Sequence, residues 1–193
     1  MPADRTHLEQ RLAAATPDDT SRGLNYTTLF GLVRDCLGTD APREVDVLGK
    51  GSRVDFFSYP VGEYLVTVWN ALDRLEPTFG STEAVLSELG RRTSAGFLSS
   101  MIGRTALQVS RRDPLALLRS GATVYRGAVS YGERSVEFPA PRRAVMTFRR
   151  DFMPSAFHAA VVLTGLQAST AVRPRVAGRE TGLLDSVYEI GWE

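Results

Sequence analysis

The sequence predicts a single α+β domain, in which an N-terminal helical half packs on a four- to five-stranded antiparallel sheet with one long buried helix. Three observations predict this fold. Apolar residues recur with helical spacing after Tyr59-Pro60. Apolar and polar residues alternate in the region that follows residue 123. The segment after Pro154 is apolar nearly all round, as expected of a buried helix.

The first half of the chain is helical by pattern. Thr6-His7-Leu8-Glu9 has the form of a capping box, which predicts a short first helix. Gly38 suits the residue that follows a second helix, from Tyr26 to Leu37. The clearest helix begins at Tyr59-Pro60 and is predicted to end at Pro77. Its apolar face consists of Tyr64, Leu65, Val68, Trp69, Leu72 and Leu75.

In the second half of the chain, the spacing of apolar residues changes from helical to strand-like. Helical patterns cover residues 82–108 and a short segment from Pro114 to Leu118. We then predict strands over residues 123–131, 133–138, 144–148 and 184–192, together with an edge strand at residues 171–177 because it contains Pro174. In the second of these strands, Arg134 shares one face with Val136 and Phe138. We divide the chain into a helical appendage, residues 1–23, and one domain, residues 24–193.

Composition excludes several classes of protein. The chain has 193 residues and one cysteine, Cys36, so it has no internal disulfide framework. No signal peptide is visible, and the longest apolar run, from Ala156 to Leu163, is too short to cross a bilayer. We therefore expect a cytoplasmic protein without membrane insertion.

Charge is divided unevenly along the chain. Residues 1–90 contain eight basic and fourteen acidic side chains, whereas residues 91–193 contain fifteen basic and eight acidic ones. Such asymmetry favours self-association or a protein partner, with Arg173 and Arg175 on the predicted edge strand as the partner-binding residues. Ordinary solvated faces explain the same pattern. The basic residues lack interleaved exposed aromatic residues and a recognition motif, which argues against nucleic-acid binding.

Short landmarks indicate a family. They are Phe30-Gly31-Leu32-Val33, Tyr59-Pro60, Leu89-Gly90-Arg91, Gly96-Phe97, Gly103-Arg104, Arg119-Ser120-Gly121, Gly165 and Tyr188-Glu189-Ile190-Gly191-Trp192. Over residues 24–193 the chain resembles an uncharacterised domain family of about 200 residues that is expanded in myxobacteria. That family is in turn similar to the superfamily of haem-nitric-oxide/oxygen sensors, vinyl-reductase-type ligand domains and vesicle-tethering adaptor subunits. The resemblance implies a helical half paired with a four-stranded antiparallel sheet.

The haem-binding members of that superfamily imply two features that this chain lacks. They have a proximal histidine on the helix before the strands, and residues 105–122 contain no histidine. They also hold the propionates with a Tyr-x-Ser-x-Arg motif, which neither Tyr125-Arg126-Gly127 nor Tyr131-Gly132-Glu133 matches. We therefore expect no haem and no other cofactor.

His158 is the main candidate for chemistry. It lies in the apolar segment, where it would contact a ligand, together with Tyr125 and Phe148, in a cavity between helix and sheet. The alternative is a buried histidine satisfied by a neighbouring group. The second histidine, His7, lies far away in sequence, so we predict no metal site.

The remaining motifs do not indicate a functional site. Cys36 lies near a helix C-terminus, which does not lower a thiol pKa, and is interpreted as a small apolar residue. Gly49-Lys50-Gly51-Ser52 lacks the strand and the glycine spacing of a phosphate loop. Asp113 and Asp151 are interpreted as helix-start signals.

Three functions remain open. The first is a non-catalytic cytosolic signalling or adaptor module that acts through protein contacts, and on this hypothesis the protein is not an enzyme. The second is a small-molecule sensor with an internal pocket for an apolar or anionic ligand. The third is an enzyme with an unrecognised site around His158, which carboxylates with shifted pKa values near this histidine would favour.

Overall fold

The computed structural model describes residues 5–193. In this part of the chain the helices are α1 (Arg5–Ala14), α2 (Gly23–Leu37), α3 (Ala41–Val45), α4 (Val61–Phe79), α5 (Thr82–Ser99), α6 (Met101–Val109), α7 (Pro114–Arg126) and α8 (Ser155–Gln167). The strands are β1 (Thr20–Arg22), β2 (Ser58–Pro60), β3 (Glu133–Ala140), β4 (Arg143–Arg149), β5 (Arg175–Glu180) and β6 (Ser186–Gly191). The predicted α+β architecture is confirmed.

The C-terminal sheet is antiparallel with the strand order β3-β4-β6-β5, and β1 and β2 form a separate small pair. The last strand in sequence, β6, is therefore central. Register places Met146 opposite Tyr188 and Phe148 opposite Ser186. Because side chains alternate across a strand, these four residues share the face of the sheet that is covered by helices.

Helix α8 lies between the sheet and α5, which explains why it is apolar on every side. Close packing with α5 depends on Gly90, since a Cβ on this residue would come 2.2 Å from the carbonyl oxygen of Phe157. Two apolar cores result. The main core joins α2, α4 and α5, and the second core joins α7, α8 and the sheet through Leu118, Ala144, Met146, Phe148, Leu166, Tyr188 and Ile190.

Helix α1 packs against α4. Leu8 is buried in the main core, and the side chain of Arg11 is only 2% exposed. Arg11 donates to the carbonyl oxygens of Asp151 and Phe152, at 3.4 and 3.2 Å. The boundary after residue 23 stays a prediction, although the described part of the predicted appendage contacts the body of the domain; its residues 1–4 lie outside the described part.

Three predicted elements differ from the structure. The edge strand predicted at residues 171–177 is β5, which begins only at Arg175, so Pro174 precedes the strand. Residues 123–131 were expected to form a strand carrying Tyr125, but residues 123–126 belong to the end of α7. This helix begins at Pro114, and the Asp113 carboxylate caps its N-terminus, accepting from the amide of Ala116 at 2.8 Å. Pro77 does not end α4, which continues through it to Phe79. Pro77 lies in the last turn and removes one backbone N–H donor from α4, a cost that the burial of the apolar face of this helix outweighs.

Candidate functional site

Four polar side chains form one buried network, which we call the Asp151 network: Asp151, His158, Arg134 and Tyr125. The Nε2–H of His158 donates to Oδ1 of Asp151 at 2.8 Å. The hydroxyl of Tyr125 lies 2.8 Å from Nδ1 of the same ring. Arg134 donates from Nη2 to Oδ2 of Asp151, and its guanidinium lies over the Tyr125 ring, 3.8 Å from the centroid.

Each member comes from a different element. Arg134 lies on the inner face of β3, Tyr125 in the last turn of α7 and His158 in the first turns of α8. Asp151 lies in the short connection between β4 and α8, where its Oδ1 also accepts from the amide of Met153 at 3.0 Å. The network therefore ties the helices to the sheet at the level where α8 begins.

Burial and charge act in opposite directions on Asp151. Burial raises the pKa of this carboxyl group, but the attraction and hydrogen bond of His158 and the attraction of Arg134 outweigh burial and lower the pKa to about 2. The pKa of Tyr125 is raised well above its ordinary value, mainly by burial and then by the charge of Asp151. The network thus holds an ionised carboxylate beside a neutral phenol.

A cavity of about 140 Å³ adjoins the network. Its polar end consists of Arg134, Tyr125 and His158. The remaining wall is mainly apolar and comes from α5, α6, α7, α8 and β4; its described residues are Ser94, Phe97, Leu98, Ala106, Leu117, Leu118, Ser120, Gly121, Val124, Met146, Phe148, Val161, Val162, Gly165 and Leu166. For scale, an engineered apolar cavity of roughly 150 Å³ binds benzene.

The structure brings together the three residues that the sequence singled out for ligand contact. Tyr125, Phe148 and His158 all line the cavity. The ring of Phe148 lies 4.9 Å from that of His158 and 5.8 Å from that of Tyr125, centroid to centroid. Their role in ligand binding stays a prediction. The alternative interpretation of His158, a buried histidine satisfied by neighbouring groups, also holds, since both ring nitrogens have hydrogen-bond partners.

The sequence interpretation missed Asp151 and Arg134. Asp151 was interpreted as a helix-start signal, but α8 has Pro154 as its N-cap and the Asp151 carboxylate faces His158. A signal for Arg134 was present, because an arginine alternating in register with Val136 and Phe138 occurs on the apolar face of a strand. A charge at such a position requires a buried partner.

The predicted partner-binding arginines lie apart from the cavity. Arg173 precedes β5 and pairs with Glu193 at 3.3 Å, both side chains being exposed. Arg175 begins the edge strand β5 and lies in one row with Gly191 and Arg143 across the sheet. Arg143 reaches over the space that a side chain at Gly191 would occupy, within 3.1 Å of its Cβ position. This row belongs to the outer face of the sheet.

The lining does not fit a haem. A porphyrin is several times larger than the benzene-sized molecule that a cavity of about 140 Å³ holds. Neither nitrogen of His158 is free to bind iron, because Asp151 and Tyr125 occupy both. Among the described residues, no group of three or more histidine, cysteine or acidic side chains is placed to hold a metal ion. Within the same residues, no helix combines the length and apolarity needed to cross a membrane.

Solved structures of H-NOX proteins share the fold. The Fe(II) unliganded H-NOX protein from K. algicida superposes with a TM-score of 0.70 at 16% identity, covering 89% of this chain and 96% of that chain. The Fe(II)NO form of an H-NOX protein from S. oneidensis gives a TM-score of 0.69 at 11% identity, covering 89% and 99%. The IWP-051-bound H-NOX from S. woodyi gives 0.62 at 13% identity, covering 89% and 94%.

Comparison by sequence identifies a family but no curated relative. No curated protein sequence matches the chain significantly. The profile of the family described as "Protein of unknown function (DUF2378)" matches residues 14–193, which is nearly the whole chain. The chain therefore belongs to the DUF2378 family, and its domain has the fold of the H-NOX proteins.

Proposed function

We propose that this domain is a small-molecule sensor, which binds one compact and mainly apolar ligand in the cavity between α5, α6, α7, α8 and β4. The observation that carries the proposal is the cavity itself: about 140 Å³, lined mainly by apolar side chains, with three members of the Asp151 network in its wall. Ligand sites combine an apolar wall with a few placed polar groups in this way. The H-NOX structures of the same fold are described as an Fe(II) unliganded form, as Fe(II)NO and Fe(II)CO ligation states and as an IWP-051-bound form, which supports ligand binding as a use of the fold.

The position of the cavity supports a sensing role. Its wall joins the helical half to the sheet, since α8 contributes His158, Val161 and Gly165, while β4 contributes Met146 and Phe148. A ligand there contacts both halves at once. Binding therefore favours whichever arrangement of helices and sheet makes the better contacts, which is the thermodynamic requirement for a ligand-driven change.

The test is a calorimetric titration with toluene, a probe of suitable size. We expect saturable binding of one toluene per chain. Gly165 lines the cavity, and the nearest atom to a Cβ placed on it is Ser94 Oγ, 4.0 Å away. The Gly165→Leu variant should therefore fill the cavity and abolish binding. The matched control is Gly31→Leu, because a Cβ on Gly31 in α2 meets nothing within 4 Å and lies outside the cavity wall. Loss of binding in both variants, or in neither, contradicts the proposal.

A second proposal is an adaptor role through protein contacts, and the row Arg143–Gly191–Arg175 on the outer sheet face supports it. An acidic surface of a second copy or of a partner would complement this row. Such a contact should weaken with salt, since the screening length falls from about 10 Å at 0.1 M to about 3 Å at 1 M. Sedimentation velocity at both salt concentrations, with the variant Arg143→Glu/Arg175→Glu, measures it.

The control for this experiment is Arg34→Glu/Arg104→Glu, which changes the charge equally at exposed positions elsewhere. Arg11 is unsuitable as a control because it is buried. A strict monomer under both conditions, with no partner recovered from extract at low salt, contradicts the adaptor role. We keep a cytoplasmic location as part of the proposal.

We also propose that the Asp151 network has no catalytic role. A carboxylate with a shifted pKa does lie beside His158, but the shift is downward, to about 2, so Asp151 is not poised as an acid or base near neutral pH. The pKa of Tyr125 is raised, which opposes nucleophilic use of its oxygen.

A further inference from the structure

The two edge strands of the large sheet have unpaired outer sides. In the strand order β3-β4-β6-β5, β3 and β5 each pair with one neighbour. Within the described part of the chain, residues 133–137 and 175–179 form no backbone hydrogen bond outside the sheet. Both stretches are free of proline, since Pro139 lies beyond the first and Pro174 precedes the second. Each edge therefore presents backbone donors and acceptors to which a further strand can pair.

The outer face of these edges carries opposite charges at the same spacing. Because side chains alternate across a strand, the outer-face residues are Glu133, Ser135 and Glu137 on β3 and Arg175, Ala177 and Arg179 on β5, and all six are exposed. Within residues 5–193, none of the four charged members forms an ion pair. Each edge thus has two unpaired charges of one sign, four residues apart.

The directions of the strands allow the two edges to meet. Neighbouring strands of this sheet are antiparallel, so β3 and β5 run in opposite directions. A second copy placed beside the first, with its sheet in the same orientation, brings its β3 alongside β5 as an antiparallel neighbour. Both outer faces then lie on the same side. In one register Arg175 lies opposite Glu137 of the second copy. The same register places Arg179 opposite Glu133 of that copy.

Charge opposes the symmetric alternatives. Two copies of β5 in the corresponding antiparallel register would place Arg175 opposite Arg179. Two copies of β3 would place Glu133 opposite Glu137. Like charges directly opposite each other destabilise a strand pair, whereas opposite charges stabilise it. The favoured contact therefore joins two different surfaces, and it can continue beyond a dimer because each bound copy keeps one free edge.

We propose that copies of this chain associate head to tail, with β5 of one copy paired to β3 of the next in a continuous antiparallel sheet. The backbone hydrogen bonds supply the affinity, and the charged rows select the edge that binds. This inference rests on the proposed adaptor role, because it names the partner and the surfaces of that contact. The edges are only five residues long, so the contact is weak and depends on protein concentration.

Charge reversal tests the proposal by sedimentation velocity at low salt over a range of concentrations. The wild type should form species larger than a dimer as its concentration rises. The variants Arg175→Glu/Arg179→Glu and Glu133→Arg/Glu137→Arg each place like charges at the contact, so each should weaken association about tenfold. The control Arg34→Glu/Arg104→Glu makes the same change of net charge as the first variant, at exposed positions outside both edges, and should associate like the wild type.

An equimolar mixture of the two reversed variants is the decisive sample. The reversed β5 of one variant complements the reversed β3 of the other, and their two unchanged edges also complement each other. Association should therefore return to the wild-type level, which also shows that both variants are folded. No recovery on mixing, unchanged association of either variant, or a wild type that stops at a dimer overturns the proposal. A strictly monomeric wild type overturns it too; the adaptor role survives that result if a different partner is recovered from extract at low salt, and otherwise fails with it.

Discussion

The Nε2 atom of His158 lies 2.8 Å from Oδ1 of Asp151, and both side chains are almost fully buried. The pair joins α8 to the connection from β4, and Arg134 adds β3 through the second carboxylate oxygen. A buried carboxylate is tolerated only when its charge and lone pairs are satisfied, which three donors achieve here. The same contacts that stabilise the junction of helices and sheet also build the polar end of the cavity.

Replacing Asp151 should be strongly destabilising. Asp151→Asn leaves the Arg134 cation buried without its counter-ion, so we expect the free energy of unfolding to fall by about 3–5 kcal/mol. Urea denaturation followed by circular dichroism measures it. Asp18→Asn removes a charge from an exposed side chain and should change the free energy by less than about 0.5 kcal/mol. Similar losses in the two variants would show that the network does not stabilise the fold.

Stability should fall in acid because the pKa of Asp151 is lowered on folding. The contribution of a lowered carboxyl pKa is fully present above the unfolded value, about 3.9, and is lost as the pH falls to about 2. A shift of this size corresponds to about 2–3 kcal/mol. Asp19 and Glu88, each with a pKa lowered to about 2 chiefly by arginine hydrogen bonds, act in the same direction.

The measurement for this prediction is the free energy of unfolding at pH 5, 3.5 and 2.5. The decline should be shallower in Asp151→Asn, since one of the carboxyl groups with a lowered pKa is removed. A curve of the same slope in the variant would mean that Asp151 has an ordinary pKa in the folded protein.

The protein should not take up haem. Both nitrogens of His158 are bonded, and the cavity is too small for a porphyrin. Protein expressed with haem supplementation is expected to be colourless, and its absorption spectrum should lack a Soret band. A stoichiometric Soret band would require an iron ligand and a space that the described structure does not contain.

Three helical glycines should respond differently to alanine. Gly165→Ala and Gly31→Ala have open space at the Cβ position, so each should raise the free energy of unfolding by about 0.5–1 kcal/mol. Gly90→Ala should be destabilising, because its Cβ would lie 2.2 Å from the Phe157 carbonyl oxygen and separate α5 from α8. Thermal melts of the three variants measure this. A stable Gly90→Ala protein would contradict the close packing of these helices.

The sequence predicts the architecture correctly wherever the apolar residues of a segment follow a single period, helical or strand-like. The apolar face of α4, for example, contains Tyr64 to Leu75 in the predicted positions, and all six predicted residues are buried. The strand predicted around Tyr125 is wrong for a physical reason: a short run with β-branched and aromatic residues suits a strand and a helix equally by its period alone, and here it forms the end of α7. Tyr125 therefore lies in helix α7 and not in a strand of the sheet.

The candidate site was predictable in part. His158 stood out as the one histidine in an apolar segment, and Phe148 as the end of an apolar strand face. Asp151 and Arg134 are 17 residues apart, and only the pairing of β3 with β4 brings them together. Such a contact depends on tertiary structure, which the local sequence pattern does not show. The pattern therefore predicted that Asp151 starts a helix, whereas the N-cap of α8 is Pro154.

The most direct test of the ligand site is a methyl-resolved NMR titration of the wild type with toluene. If the cavity binds ligand, the perturbed leucine and valine methyl groups should be those of the cavity wall: Leu98, Leu117, Leu118, Val124, Val161, Val162 and Leu166. Methyl groups of the main core, such as those of Leu72 and Leu75, should not shift. Saturable shifts confined to the cavity wall are the predicted result. No shifts, or shifts concentrated at exposed residues such as Leu48 and Val54, would contradict a ligand site in this cavity.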